Sequence, residues 1–183
     1  MHSLKSILKE SIPVLILTSA IAIGAGMILN LNRDFITLIP GILIIIPSFN
    51  QMNGAISSVL SSRLSSALHL GLIQPKLHRT KTLTRNMVAA YIIATLSFMV
   101  FGITAWFFNA AMGISTGTIM SFPVIVFVAG LLTTVVLSVI SIVFSYLSYS
   151  RGMDPDNIVI PLLTSTGDFI GIVLLFMTAG LAL

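Results

Sequence analysis

The chain of 183 residues has no cysteine and one tryptophan, and only 8% of its residues are charged. Without cysteine there are no disulfides and no thiolate metal sites, and the redox compartment cannot be read from the sequence. A soluble domain carries about 25% charged residues. With so few charges, 56% hydrophobic residues and a mean hydropathy of +1.09, the composition is that of an integral membrane protein. Catalytic patterns are missing too. There is no His-Glu-x-x-His, no Ser-His-Asp set at compatible depths and no glycine-rich phosphate loop. His2, His69 and His78 all fall at expected membrane edges, so no enzyme is expected. The net charge of +4 is better explained by topology signals than by nucleic acid, which is not an expected partner.

What is present is apolar length. Five stretches, about 12–30, 36–62, 88–108, 121–149 and 158–182, reach the roughly 20 residues needed to cross a bilayer. The expected fold is an all-α integral membrane protein of five transmembrane helices. It forms a single transmembrane domain over 1–183 with no soluble regulatory domain. The first stretch follows Lys5 and Lys9, as in a signal peptide, but is long enough to span and has no clear small-residue cleavage site. It reads as a retained helix. Lys5, Lys9, Arg63, Lys76, Arg79, Lys81, Arg85 and Arg151 fall on one side, and Arg33 alone on the other. That asymmetry places the N-terminus inside and the C-terminus outside. An odd number of spans cannot divide into two equal inverted halves. A pathway on a symmetry axis would therefore need a second copy of the chain.

Two stretches break the apolar pattern. In the last, "MDPDNIVIPLLTSTGDFIGIVLLF" (153–176), Asp154 and the proline after it make a good helix start, and Asp156 and Asn157 occupy the first turn. Capping accounts for Asp154 and Asp156; a ligand role for either stays open. Capping cannot account for Asp168. Fourteen residues on, it lies about 21 Å deeper, where holding a charge costs on the order of 2.5–3.5 kcal/mol. Such a residue faces a protein interior or an aqueous path, and the bland alternative is a hydrogen-bonded structural aspartate. At about 100° per residue Asn157, Pro161, Thr164 and Asp168 share one face. Pro161 leaves the Asn157 carbonyl without its helical donor. Gly167 and Gly171 allow a neighbouring helix to come close. A lining of oxygen atoms without His or Cys suits hard cations such as Mg2+, Ca2+ or Mn2+. One carboxylate per chain, doubled by a two-fold axis, suits a largely hydrated Mg2+.

The other stretch is "PSFNQMNGAISSVLSSRLSSALHLG" (47–71). Pro47, Asn50, Gln51, Asn53 and Gly54 bring amides to membrane depth and suggest strained or non-helical backbone. Serine pairs at 57–58, 61–62 and 65–66 form two adjacent ridges, either a hydroxyl-lined path or small-residue packing. Arg63 is expected to mark the cytoplasmic end, snorkelling or pairing with Asp154 or Asp156.

The segment "DPDNIVIPLLTSTGD" resembles the last helix of the MgtE-type and solute carrier family 41 magnesium transporters. "GAISSVLSSRLSSA" is similar to the second-helix signature of the solute carrier branch. The resemblance covers essentially the whole chain. It implies a divalent-cation channel or transporter of the plasma membrane, with a pore on a homodimer axis in the lipid bilayer. Asp168 would be the central ion ligand, Thr164 would offer a backbone carbonyl and Asp154 would sit at the cytoplasmic mouth. The second helix departs from the family pattern, with Ala55 and Ser57 near the glycine and Asn53 as the nearest polar substitute. The cytoplasmic sensing domains of bacterial MgtE proteins are absent, and there is one five-helix unit where the solute carrier branch usually has two. Alternatives are a cation exchanger coupled to H+ or Na+ and, from another class, a non-transporting scaffold subunit.

Overall fold

The computed structural model describes residues 4–74, 80–114 and 121–182. His2, Lys76, His78 and Arg79 lie outside the described residues, as does most of the connection between the third and fourth expected spans. Among the described residues six helices follow one another: α1 (Leu4–Leu31), α2 (Arg33–Leu38), α3 (Pro40–His69), α4 (Lys81–Ala111), α5 (Ser121–Ser150) and α6 (Pro155–Ala182). All but the short α2 are long and apolar enough to cross a membrane, and no strand occurs among the described residues. This is an all-α, multi-pass membrane protein. The helices outrun the apolar stretches, with α1 starting at Leu4 and α3 ending at His69. The 28 residues of α1 measure about 42 Å at 1.5 Å each, against roughly 30 Å of hydrocarbon. The polar ends therefore stand in the headgroup region, where hydropathy gives no signal.

Two expectations about the second span need correction. The expected stretch 36–62 is divided at Ile39, whose φ of −133° and ψ of 78° are not helical. Proline disfavours the helical conformation in the residue before it, and Pro40 then opens α3 at its first turn. The expected strain around Pro47 and Gly54 is absent, because α3 is one continuous helix from Pro40 to His69. The amides at 50, 51 and 53 are thus carried on regular helix.

Three helices stop in the same way. Gly152 closes α5 at φ +72°, a left-handed conformation that a Cβ disfavours. The Met153 amide N–H then donates to the Ser148 carbonyl at 3.0 Å, which satisfies an otherwise orphaned oxygen. Helices α3 and α4 end likewise at Gly71 and Gly113. Only Met153 and Asp154 separate this turn from α6.

Helix α6 is the hub, packed against α1, α3 and α5, while α4 joins the bundle through α5 and α3. Most of the core lies around Phe49, Phe98, Phe122, Ile172 and Leu175, with the Phe49 and Phe98 rings 5.5 Å apart. A second cluster of Leu60, Leu64, Leu68 and Tyr146 fills the other end. Small hydroxylic residues line the interior between them. Ser57, Ser61 and Ser65 of α3 are buried, as are Thr134, Ser138, Ser141 and Ser145 of α5. By contrast, α1 packs substantially against α6 alone and buries only Thr18 and Ala25.

Candidate functional site

Helices α3 and α6 meet through glycines. A Cβ added at Gly54 would lie 3.5 Å from Thr164 Cγ2, and one at Gly171 would lie 3.1 Å from Asn50 Oδ1 and 3.3 Å from Asn53 Nδ2. Gly167 packs under Leu137 of α5, 3.2 Å from where its Cβ would be. The glycines beside Asp168 thus do bring neighbouring helices into close approach. Beside this contact is a cavity of about 210 Å³, lined by Asn50, Gln51, Gly54, Ala55, Ser58, Thr164 and Asp168.

The lining follows from helical periodicity. On α6, Asp168 and Thr164 are one turn apart. On α3, Gln51, Gly54 with Ala55, and Ser58 mark successive turns of one face. All the heteroatoms these side chains offer are amide, hydroxyl or carboxylate, and the only charge is that of Asp168. The Thr164 hydroxyl donates to the Pro161 carbonyl at 2.8 Å, which leaves the hydroxyl oxygen's lone pairs free to accept or ligate. Asn50 Oδ1 is buried with no hydrogen-bond partner among the described residues. A buried amide oxygen in that state carries the desolvation cost of an unmade hydrogen bond.

The remaining sequence-derived site residues divide into two groups. Asn53 is buried, its Nδ2 donates to the Phe49 carbonyl at 3.1 Å, and it does not line the cavity. Asn50 and Gln51 hold the place expected of it. Asp154, Asp156 and Asn157 sit together at the start of α6, about four turns from Asp168. There Asp154 is the helix cap: its Oδ1 accepts the Asp156 amide N–H at 3.0 Å. His69 Nε2 lies 3.7 Å from the same Oδ1, so the end of α3 meets the start of α6. Arg63, expected to snorkel or to pair with Asp154 or Asp156, lines the cleft between α3 and α4. It lies nearly two turns before His69 on α3, and His69 takes the place expected of it.

One residue of this end went unnoticed in the sequence. Glu10 of α1 accepts from Asn157 Nδ2 at 2.9 Å and from the Asp154 amide N–H at 3.4 Å through Oε2. Its Oε1 accepts from the Ser6 hydroxyl at 3.2 Å. The available signal was scarcity, since Glu10 is one of only five acidic residues in the chain. The serine ridges also separate. Ser57, Ser61 and Ser65 are packing residues, while Ser58 lines the cavity and Ser62 and Ser66 are exposed.

The model of the MgtE family, described as a divalent cation transporter, matches residues 46–178. That range holds α3 from Ile46 onward and nearly all of α6, and therefore every residue lining the cavity. This chain belongs to the MgtE family. Among curated relatives, solute carrier family 41 member 2 of Gallus gallus is 24% identical over 161 residues, covering 84% of this chain and 27% of that protein. Its namesake in Xenopus laevis is 23% identical over 161 residues, covering 84% of this chain and 28% of that protein. The chain thus spans little more than a quarter of the length of either relative. No solved structure matches it. Glu10, with all of α1 and α2, precedes the residues that the MgtE model matches.

Proposed function

We propose that this protein carries divalent cations, foremost Mg2+, across the plasma membrane through a pathway that passes Asp168. The observation that carries this reading is the cavity between α3 and α6, where one carboxylate sits among amide and hydroxyl oxygens at membrane depth. Oxygen donors select hard cations over soft ones. Among the described residues no three His, Asp or Glu side chains converge on a point, so a stripped ion would find too few charged ligands. A hydrated ion needs fewer. The 210 Å³ cavity has room for several waters, so an ion there can keep much of its shell. Mg2+ sheds its waters reluctantly and is held through one or two carboxylates. Asp168 would supply the charge, and Asn50, Gln51, Ser58 and Thr164 would hydrogen-bond the waters.

The cavity opens on the side of the bundle, and two copies related by a two-fold axis would close two such walls into one pore. In that arrangement the N-terminus lies inside and the C-terminus outside, and Asp154, Asp156 and Asn157 form the inner mouth. A scaffold has no use for a mid-membrane carboxylate in a polar cavity, so transport is the stronger reading.

The test is Mg2+ uptake into proteoliposomes with the wild type, Asp168→Ala and Asp168→Asn. Both variants should lose at least about tenfold in flux, the loss expected of a charged interaction worth 1.4 kcal/mol or more. Wild-type flux in both would overturn the assignment. Repeating the assay with H+ and Na+ gradients collapsed separates a channel from an exchanger.

A further inference from the structure

Side chains reach the first turn of α6 from other helices, among them His69 from the end of α3 and Glu10 from α1. Glu10 makes the more specific contact. Its Oε2 receives both an Asn157 amide hydrogen and the Asp154 main-chain N–H. The Asp154 contact matters because that residue already caps the helix with its side chain. The contact with Asn157 fixes an orientation. An amide has one donor end and one acceptor end. With Nδ2 committed to a carboxylate, Oδ1, the end that can ligate a cation or its waters, is turned away from α1.

Resting on the transport reading above, we propose that Glu10 is a positioning residue for the inner mouth. It holds the Asn157 amide with its oxygen presented to the entering cation, and it ties α1 to the first turn of α6. Glu10 does not itself ligate the ion. The carboxylate acts through its acceptor oxygen, and its negative charge at the mouth is secondary. A glutamine at this position, which keeps an acceptor oxygen at the same reach, therefore serves nearly as well. Alanine does not, because Asn157 is then free to rotate and the Asp154 N–H loses the Glu10 carboxylate.

The experiment measures Mg2+ uptake against concentration in proteoliposomes for wild type, Glu10→Ala, Glu10→Gln, Asn157→Ala and the Glu10→Ala/Asn157→Ala double variant. Amide exchange at Asp154 is read on the same preparations. Glu10→Ala should raise the half-saturating Mg2+ concentration about three- to tenfold, the scale of one lost hydrogen bond. Maximal flux should change less than twofold. Glu10→Gln should stay within about twofold of wild type, and the double variant should be no worse than Asn157→Ala alone. Exchange at the Asp154 amide should quicken in Glu10→Ala and not in Glu10→Gln. The proposal is overturned if Glu10→Gln falls as far as Glu10→Ala, which would mean that charge alone matters. Multiplying losses in the double variant, or an unchanged half-saturation in Glu10→Ala, would overturn it too. Should Glu10→Ala fail to fold, Glu10→Gln and Asn157→Ala still decide: equal losses in the two would refute positioning. Asp168→Ala separates the two readings. If it keeps wild-type flux, the transport pathway is wrong. If it abolishes flux while the Glu10 series is flat, only this inference fails.

Discussion

At Asp154 two roles that the sequence left open now have separable chemistry. Its Oδ1 caps α6 through the Asp156 N–H, a job that asparagine does as well as aspartate. Its charge is a different property, and only that could attract a cation. Asp154→Ala should therefore cost about 1 kcal/mol of stability, seen as a lower melting temperature. Asp154→Asn should melt like the wild type. If Asp154→Asn also transports normally, the residue is a cap and nothing more; reduced Mg2+ flux with unchanged melting would show that the charge is used. The depth of Asp168 was legible from counting residues along one helix. Its cavity partners were not, because Asn50, Gln51 and Ser58 become neighbours only through the register of α3 against α6. Sequence distance says nothing of that register. Glu10 was hidden for a related reason, since its partners lie some 145 positions away.

Among the helices, hydropathy located the spans well, because an uncharged apolar run of about 20 residues has the length and composition of a membrane crossing. It erred where the backbone decides. Pro40 splits the second stretch through its effect on Ile39, whereas Pro47, expected to disturb the helix, lies within it without breaking it. The ends follow glycine more closely than polarity, and Gly152 shows why this matters for α6. Its left-handed turn leaves two residues to reverse the chain and set Asp154 at the helix start. Gly152→Ala places a Cβ in that conformation and should cost about 1–2 kcal/mol. The expected result is a lower melting temperature followed by the fluorescence of Trp106, the one tryptophan. An unchanged melting point would mean that the turn relaxes without penalty.

For the whole molecule, the open question is what closes the Asp168 cavity from the side. The proposed answer, a second copy with the same wall facing it, can be tested cleanly because the chain has no native cysteine. Gln51 is exposed on the cavity face. Gln51→Cys in membranes should therefore be joined into a covalent dimer by a bis-thiol reagent long enough to span a hydrated ion, since a direct disulfide needs Cα atoms within about 7 Å. Exclusively monomeric product, with a cysteine placed on the outer face of α4 cross-linking instead, would put the interface elsewhere. The sequence could call for a partner from the odd number of spans, but it could not choose which face meets that partner.

The lopsided packing of α1 bears on how the protein comes apart. Helices α3, α4, α5 and α6 hold one another through several mutual contacts, whereas α1 rests substantially on α6 alone. Lipid solvates its free side as readily as protein does, so little but that one seam opposes its departure. Unfolding need not then be a single all-or-none event. The outer helix can peel away first and leave a four-helix remnant that still holds the cavity, once the Glu10 contacts with Asn157 and Asp154 have parted.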